Sequence, residues 1–189
     1  GQSFATVLFP TMTAQYERGD AEGMRRTLTN GLRPLLFLLL PASIGLYAFR
    51  VPVVQTIFQS GAFSSTSTML VVQPLAFFAL ALVFYSLVEI LARTFYAMRN
   101  TRIPVGAGIL ITVINIGLAF LLTPHVGYSG LALSLSLSTA IEALILILAL
   151  SWKMGNFAPA LGAWSPRVPL PTAVMGCAAL LMSNYLTDL

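Results

Sequence analysis

Polar and apolar residues are not interleaved along this chain; they come in blocks. Long apolar runs fill about 31–49, 68–92, 103–122, 128–151 and 168–186, and the charged residues lie almost wholly between them. About 20 apolar residues rising 1.5 Å each cross the roughly 30 Å of hydrocarbon in a bilayer. Each run is therefore long enough to span as a helix. Strands of a membrane barrel would be about ten residues long and would alternate. These runs do neither, so the predicted fold is all-α, a polytopic transmembrane helix bundle. Helices also satisfy every backbone polar group internally, as lipid demands.

The pattern divides the chain into an opening apolar tail over 1–10, a polar and amphipathic stretch over 11–30, four spans within 31–151, and a loop plus fifth span over 152–189. The opening tail is too short to cross, and the sequence is expected to be a fragment that enters at the end of a helix. Within 11–30, Asp20 is the expected N-cap and Glu22 favours the positive helix end. Met24 and Leu28 lie four apart, opposed by Arg25, Arg26 and Thr29. A short interfacial helix is expected there, with a second surface helix at Val53, Val54, Ile57 and Phe58. Pro34 is placed in the first turns of its span and Pro41 in its interior, where it should kink the helix. The short segment at 123–127, which holds the only histidine, His125, is read as a loop.

Composition agrees. Of 189 residues, 57% are hydrophobic and 8% charged, against roughly a quarter charged in soluble domains. Too few charges remain to cover a water-facing surface. Net charge is +4, yet no platform of aromatic and basic residues suggests nucleic acid. The basic residues instead report topology. Arg18, Arg25, Arg26 and Arg33 precede the first span, and only Arg50 follows it. Arg93, Arg99 and Arg102 follow the second span, none follows the third, and Lys153 and Arg167 follow the fourth. Rich and poor loops alternate, and the rich ones are predicted to be cytoplasmic. Trp152 and Trp164 flank the last of them as interfacial aromatics.

Polar residues inside the spans are the candidates for function, because burying them in lipid is costly. Glu142 lies near the middle of the fourth span. Ser134 and Ser138 precede it at four-residue steps on the same face. The stripe suits either the lining of a hydrated cavity or hydrogen bonding between helices. Asn115, at mid-depth in the third span, shares a face with Thr112 and Gly108 and has the same two readings. Glu89 and Arg93 are spaced for an ion pair along one helix. Arg25, Arg26 and Arg33 suit either topology and solvation or attraction of diphosphate and anionic headgroups. The single cysteine, Cys177, reads as a small apolar residue. No catalytic constellation is legible, so the expectation is a protein that moves or binds something, not an enzyme. No cofactor or metal is expected.

Several segments are similar to a known family. They are Ala5-Thr6-Val7-Leu8-Phe9-Pro10, Gly19-Asp20, Gly31-Leu32-Arg33, Pro41-Ala42-Ser43-Ile44-Gly45-Leu46 and Phe58-Gln59-Ser60-Gly61-Ala62-Phe63. The most specific runs from Leu91-Ala92-Arg93-Thr94-Phe95-Tyr96 through Ala97-Met98-Arg99-Asn100-Thr101-Arg102 to Ile103-Pro104-Val105. Asn115-Ile116 and Gly127-Tyr128-Ser129-Gly130-Leu131-Ala132-Leu133-Ser134 complete the set. In order and spacing they resemble the carboxy-terminal half of MurJ/MviN lipid II flippases over roughly residues 1–150.

The resemblance implies a MATE-like transporter fold of two six-helix lobes plus a final helix pair, in a bacterial inner membrane. It implies that lipid II, the undecaprenyl-linked peptidoglycan precursor, is flipped by alternating access, with membrane lipids and cell-wall synthesis proteins as expected partners. Read from the residues themselves, Glu142, Ser138, Ser134, Asn115, Arg33, Arg25 and Arg26 are the substrate or cavity candidates. Some members of the family hold a sodium ion in the second lobe. Asn115 matches one ligand of that site, but two further ligand positions fall at Ala119 and Leu135, so the site is expected to be incomplete. The alternatives are a related exporter of oligosaccharide-lipids or drugs, or a non-transporting scaffold of the same fold.

Overall fold

The computed structural model describes residues 2–58 and 65–155. The expected fifth span, together with Trp164, Arg167 and Cys177, lies outside the described residues. Among the described residues the elements are helices: α1 (Gln2–Glu17), α2 (Ala21–Ala48), α3 (Arg50–Phe58), α4 (Ser65–Ala97), α5 (Arg102–Val126) and α6 (Ser129–Met154). Four stretches are long and apolar enough to cross a membrane: Ala21–Ala48, Thr68–Ala97, Arg102–Val126 and Ser129–Met154. The described part is thus a multi-pass bundle.

Three sequence expectations change. The separate interfacial helix within 11–30 does not form. Residues 11–17 continue α1, and 21–30 are the first turns of α2. The amphipathy is real but belongs to the end of a long helix. Met24, Leu28, Leu32 and Leu35 are buried along one face, while Arg26 and Arg33 are exposed on the other. Nothing between Asp20 and Gly31 breaks the helix, so Pro34 sits in its interior and the helix runs through both Pro34 and Pro41. Likewise α5 continues to Val126, and His125 occupies its last turn, with Nδ1 2.9 Å from the Leu121 carbonyl oxygen. The turn to α6 needs only Gly127, at φ 66°, and Tyr128.

The turns explain how the chain reverses. After α1, Gly19 has φ 71°, its N–H donates to Tyr16 O and the Asp20 N–H donates to Gln15 O. This paired closure satisfies carbonyls left open by the helix end. Asp20 then caps α2, its Oδ1 accepting from the Gly23 N–H at 2.7 Å. The same closure recurs after α4, where Arg99 N–H donates to Tyr96 O and Asn100 N–H to Phe95 O. There the left-handed position, φ 53°, is held by Arg99, not glycine. A side chain in that region costs roughly 1 kcal/mol. Arg99 also pairs with Glu17 at 2.6 Å, but both side chains are largely exposed, and such pairs contribute about 0–1 kcal/mol. Arg99→Gly is therefore expected to leave stability within about 1 kcal/mol of the parent or raise it, whereas Arg99→Val, β-branched at positive φ, lowers it. Thermal unfolding of the full-length protein in detergent reads the difference; equal losses for both would refute the strain argument.

The Glu17–Arg99 pair also fixes the ends of the bundle. It joins the α1–α2 turn to the α4–α5 turn. Leu146 and Leu150 near the end of α6 join Met12, Met24, Leu28, Ile90, Leu91 and Phe95 in one buried cluster at that same end. Arg18, Arg25, Arg26, Arg99, Arg102 and Lys153 therefore gather at one pole. At the other, Ser129 Oγ donates to Gln73 Oε1 at 3.1 Å, tying the start of α6 to the first turns of α4.

Helix α4 is central and packs on α1, α2, α3 and α6, while α5 packs mainly on α6. Toward the arginine-poor pole, hydroxyls bind the helices together. Ser43 Oγ of α2 donates to Ala79 O of α4 at 2.6 Å, and Ser136 Oγ of α6 to Phe77 O of α4 at 2.9 Å. In lipid, small residues and short polar side chains take over part of the work that apolar burial does in water.

Candidate functional site

Asn115 and Ser138 come together. Asn115 Nδ2 on α5 donates to Ser138 Oγ on α6 at 3.4 Å, and that hydroxyl donates on to Ser134 O at 2.7 Å. Ser134 Oγ donates to Leu131 O, one turn back. Ser134 and Ser138 are both buried. Their stripe thus lies in packed helix–helix contact, with Asn115 reaching into it from the neighbouring helix. Thr112 does not join; its hydroxyl donates to Gly108 O on its own exposed face.

Glu142, one turn beyond Ser138, is half-buried. No described residue gives its carboxylate a hydrogen bond or ion pair. It shares the serine face but not the serine network.

On the other side of Asn115 a groove of about 460 Å³ runs between α5 and α6, lined by Asn115, Ile116, Ala119, Phe120, Thr123 and Leu131 among others. Interhelical bonds of the Asn115–Ser138 kind average about 0.6 kcal/mol and reach about 1.7. Ser138→Ala is expected to lower unfolding free energy by that amount and Asn115→Leu similarly, with the double variant no worse than the worse single one. An additive double variant, read by thermal unfolding, would show that the two side chains are not coupled.

The arginines form a second cluster. Glu22 Oε1 pairs with Arg26 at 3.2 Å and Glu22 Oε2 with Arg25 at 3.8 Å. Together with Thr29, Asn30 and Arg33 they line a notch of about 260 Å³ at the start of α2. Further round the same pole, Arg93 Nε and Nη2 both donate to Glu89 Oε1, at 2.9 and 2.7 Å. This pair, with Phe9, Ala92 and Tyr96, lines a pocket of about 410 Å³ between α1 and α4.

Comparison with known proteins decides the family. The family model "Lipid II flippase MurJ" matches residues 1–188. The chain belongs to the MurJ family. It is 29% identical over 181 residues to the lipid II flippase MurJ of Burkholderia cenocepacia, an alignment covering 96% of this chain and 35% of that protein. It is 31% identical over 175 residues to a protein of Rhizobium meliloti named "Probable lipid II flippase MurJ", covering 92% of this chain and 31% of that one. The chain thus spans about a third of the length of these MurJ relatives. Its fold matches a solved structure, "Lipid II flippase MurJ, inward closed conformation", with TM-score 0.71 at 22% identity, over 97% of this chain and 42% of that one.

Membership in the MurJ family raises the question of sodium. The ion takes oxygen donors, as hard cations do. Of the positions the resemblance marks, Asn115 offers an amide oxygen, while Ala119 and Leu135 offer only carbon. Among the described residues no group of three or more His, Cys, Asp or Glu could hold a metal ion.

Sequence reasoning singled out Asn115, Ser134, Ser138, Glu142 and the arginines, but not Gln73, Ser43 or Ser136, whose hydrogen bonds cross between helices. Polar side chains within or beside apolar runs were the available signal. Which of them face a neighbouring helix is a tertiary fact.

Proposed function

We propose that this chain is part of a lipid II flippase, one that carries the lipid-linked peptidoglycan precursor across the bacterial inner membrane by alternating access. The observation that carries the reading is the family match over nearly the whole chain, together with a shared fold. In this reading the described helices belong to the second lobe, and the arginine-rich pole faces the cytoplasm, as the bias of basic residues favours. The substrate's headgroup crosses in a hydrated cavity while its polyprenyl tail stays in lipid.

Within that scheme the Asn115–Ser138 link holds α5 to α6 so that the pair moves as one body. Glu142, unpartnered among the described residues, is the intramembrane group placed to meet water or an ion path. An uncompensated carboxylate in lipid costs at least about 2.5 kcal/mol. Transport, not chemistry on the substrate, is the activity proposed. Lipids of the membrane and lipid II are the partners, with cell-wall synthesis proteins as further ones.

Depleting the full-length protein from growing cells is expected to make lipid II accumulate in the cytoplasmic leaflet, read by its accessibility to a reagent added outside the membrane. An unchanged leaflet distribution would reject the flippase reading in favour of a scaffold. Accumulation of a different lipid-linked saccharide would reject it in favour of a related exporter.

A further inference from the structure

The notch at the start of α2 is built unlike the other charged places in the molecule. Three guanidinium groups, from Arg25, Arg26 and Arg33, share it with one carboxylate, Glu22. Two positive charges are left over in a space of about 260 Å³. Glu22 engages Arg25 and Arg26, and no described residue pairs with Arg33. The Asn30 side chain is exposed beside them and also has no described partner.

The placement along the helix is as telling as the charge. Arg26 and Arg33 are seven residues apart, so they stand on one face about 10 Å apart along the axis. One turn deeper, Phe37 continues that face and Leu38 lies further round the exposed side of the helix, 47% and 62% exposed. Asn30, Arg33 and Pro34 are exposed above them. The face therefore passes from guanidinium to hydrocarbon that no described residue covers within a single turn, at the end where most of the other cations gather. A dissolved anion would find the charge but has no use for the apolar strip. A phospholipid matches both, with its phosphate level with Arg33 and its chains along Phe37 and Leu38.

We propose that this face of α2 is a docking site for an anionic phospholipid of the leaflet at the arginine-rich pole. Arg33 and Asn30 hold the phosphate, Arg25 and Arg26 provide the remaining positive field, and Glu22 keeps those two side chains extended toward the notch. The inference rests on α2 spanning the membrane and does not require that lipid II be the cargo.

The test uses the full-length protein with its own tryptophans replaced by phenylalanine and a single probe introduced as Leu38→Trp. It is reconstituted in phosphatidylcholine containing phosphatidylglycerol at about 3:1, with one lipid or the other brominated on its chains. Brominated phosphatidylglycerol is expected to quench the probe at least about threefold more effectively per molecule than brominated phosphatidylcholine, since each cation near a lipid surface contributes appreciable attraction. The triple variant R25Q/R26Q/R33Q is expected to lose the preference, and R25K/R26K/R33K to keep most of it. Arg102→Gln, at the same pole but outside the notch, leaves it unchanged.

Equal quenching by the two lipids in the parent, or a preference that survives the triple glutamine variant, overturns the proposal. If the glutamine variant does not fold, loss of preference on adding high salt to the parent takes its place, and a salt-insensitive preference overturns the proposal. Relief of quenching by millimolar inorganic phosphate assigns the notch to a soluble anion and overturns it. So does relief by unbrominated lipid II at mole fractions far below those of phosphatidylglycerol, which assigns it to the cargo. None of these readings depends on transport, so a failure here leaves the flippase reading untouched.

Discussion

Gly130→Ala is expected to destabilise the full-length protein by about 1–3 kcal/mol, and Gly130→Leu by more, because the added carbon meets backbone and nothing soft. A Cβ at Gly130 would lie 2.8 Å from both the Leu122 carbonyl carbon and the Thr123 nitrogen, and 2.9 Å from Leu122 O. Those atoms belong to the last turns of α5. They cannot swing aside as a side-chain tip can, so α5 must shift relative to α6. That shift would pull on the side-chain link between these helices at mid-depth, Asn115 to Ser138.

The contrast lies in α5 itself. Gly106 and Gly117 have nothing within 4 Å of an added Cβ. Alanine there gains up to about 1 kcal/mol of helix preference at no steric cost. Thermal unfolding in detergent should therefore drop for Gly130→Ala and hold or rise for Gly106→Ala and Gly117→Ala. A harmless Gly130→Ala would mean that the α5–α6 hairpin is more open than described.

Phe95→Ala carries the other large effect, an expected loss of about 3–5 kcal/mol. Phe95 is fully buried where α1, α2, α4 and α6 converge, among Met12, Met24, Leu28, Leu91 and Leu150. In lipid the unfolding reference is itself apolar, so little of this cost is transfer from water. It comes from the dispersion attraction that the atoms lining the void can no longer make with the ring. Phe95→Leu, which keeps most of the volume, should cost less than half as much. The same cluster is also where the Glu17–Arg99 pair and both paired turn closures sit. Loosening it should raise hydrogen exchange at 17–21 and 98–101 before it affects the opposite pole. Uniform exchange changes along the bundle would count against a core concentrated at one end.

The two poles are held by different means. The arginine-rich end has a large apolar cluster. The other end relies on single hydroxyl contacts such as Ser43 to Ala79 and Ser136 to Phe77. Bonds of that kind exchange partners at little cost, since serine can turn back to a carbonyl of its own helix. Ser136 already donates both to Phe77 O and to Ala132 O.

Much of the architecture is legible in the sequence. Four of the five expected spans match helices of spanning length, and the fifth lies outside the described residues. The alternation of arginine-rich and arginine-poor loops agrees with the poles that the Glu17–Arg99 and Ser129–Gln73 contacts define. Both readings succeed because lipid imposes blunt rules that one dimension can carry. An apolar run must be about 20 residues long, and cations stay out of hydrocarbon.

Boundaries and faces were not legible. The turns of 21–30 read as a separate helix because polar composition changes at the membrane surface, although the helix does not end there. Faces fail for a related reason. A span that meets lipid on one side and protein on the other is apolar all round, so the 3.6-residue period that would mark its buried face is largely erased. Thus the sequence by itself determined the spans, their order and which loops carry the arginines. Only the tertiary structure decided that α4 is central, that Ser138 receives Asn115, that Gly130 touches backbone, and that Arg99 holds a left-handed turn. Each of these depends on which side of a uniformly apolar cylinder meets its neighbour, and that is settled by packing, not by hydropathy.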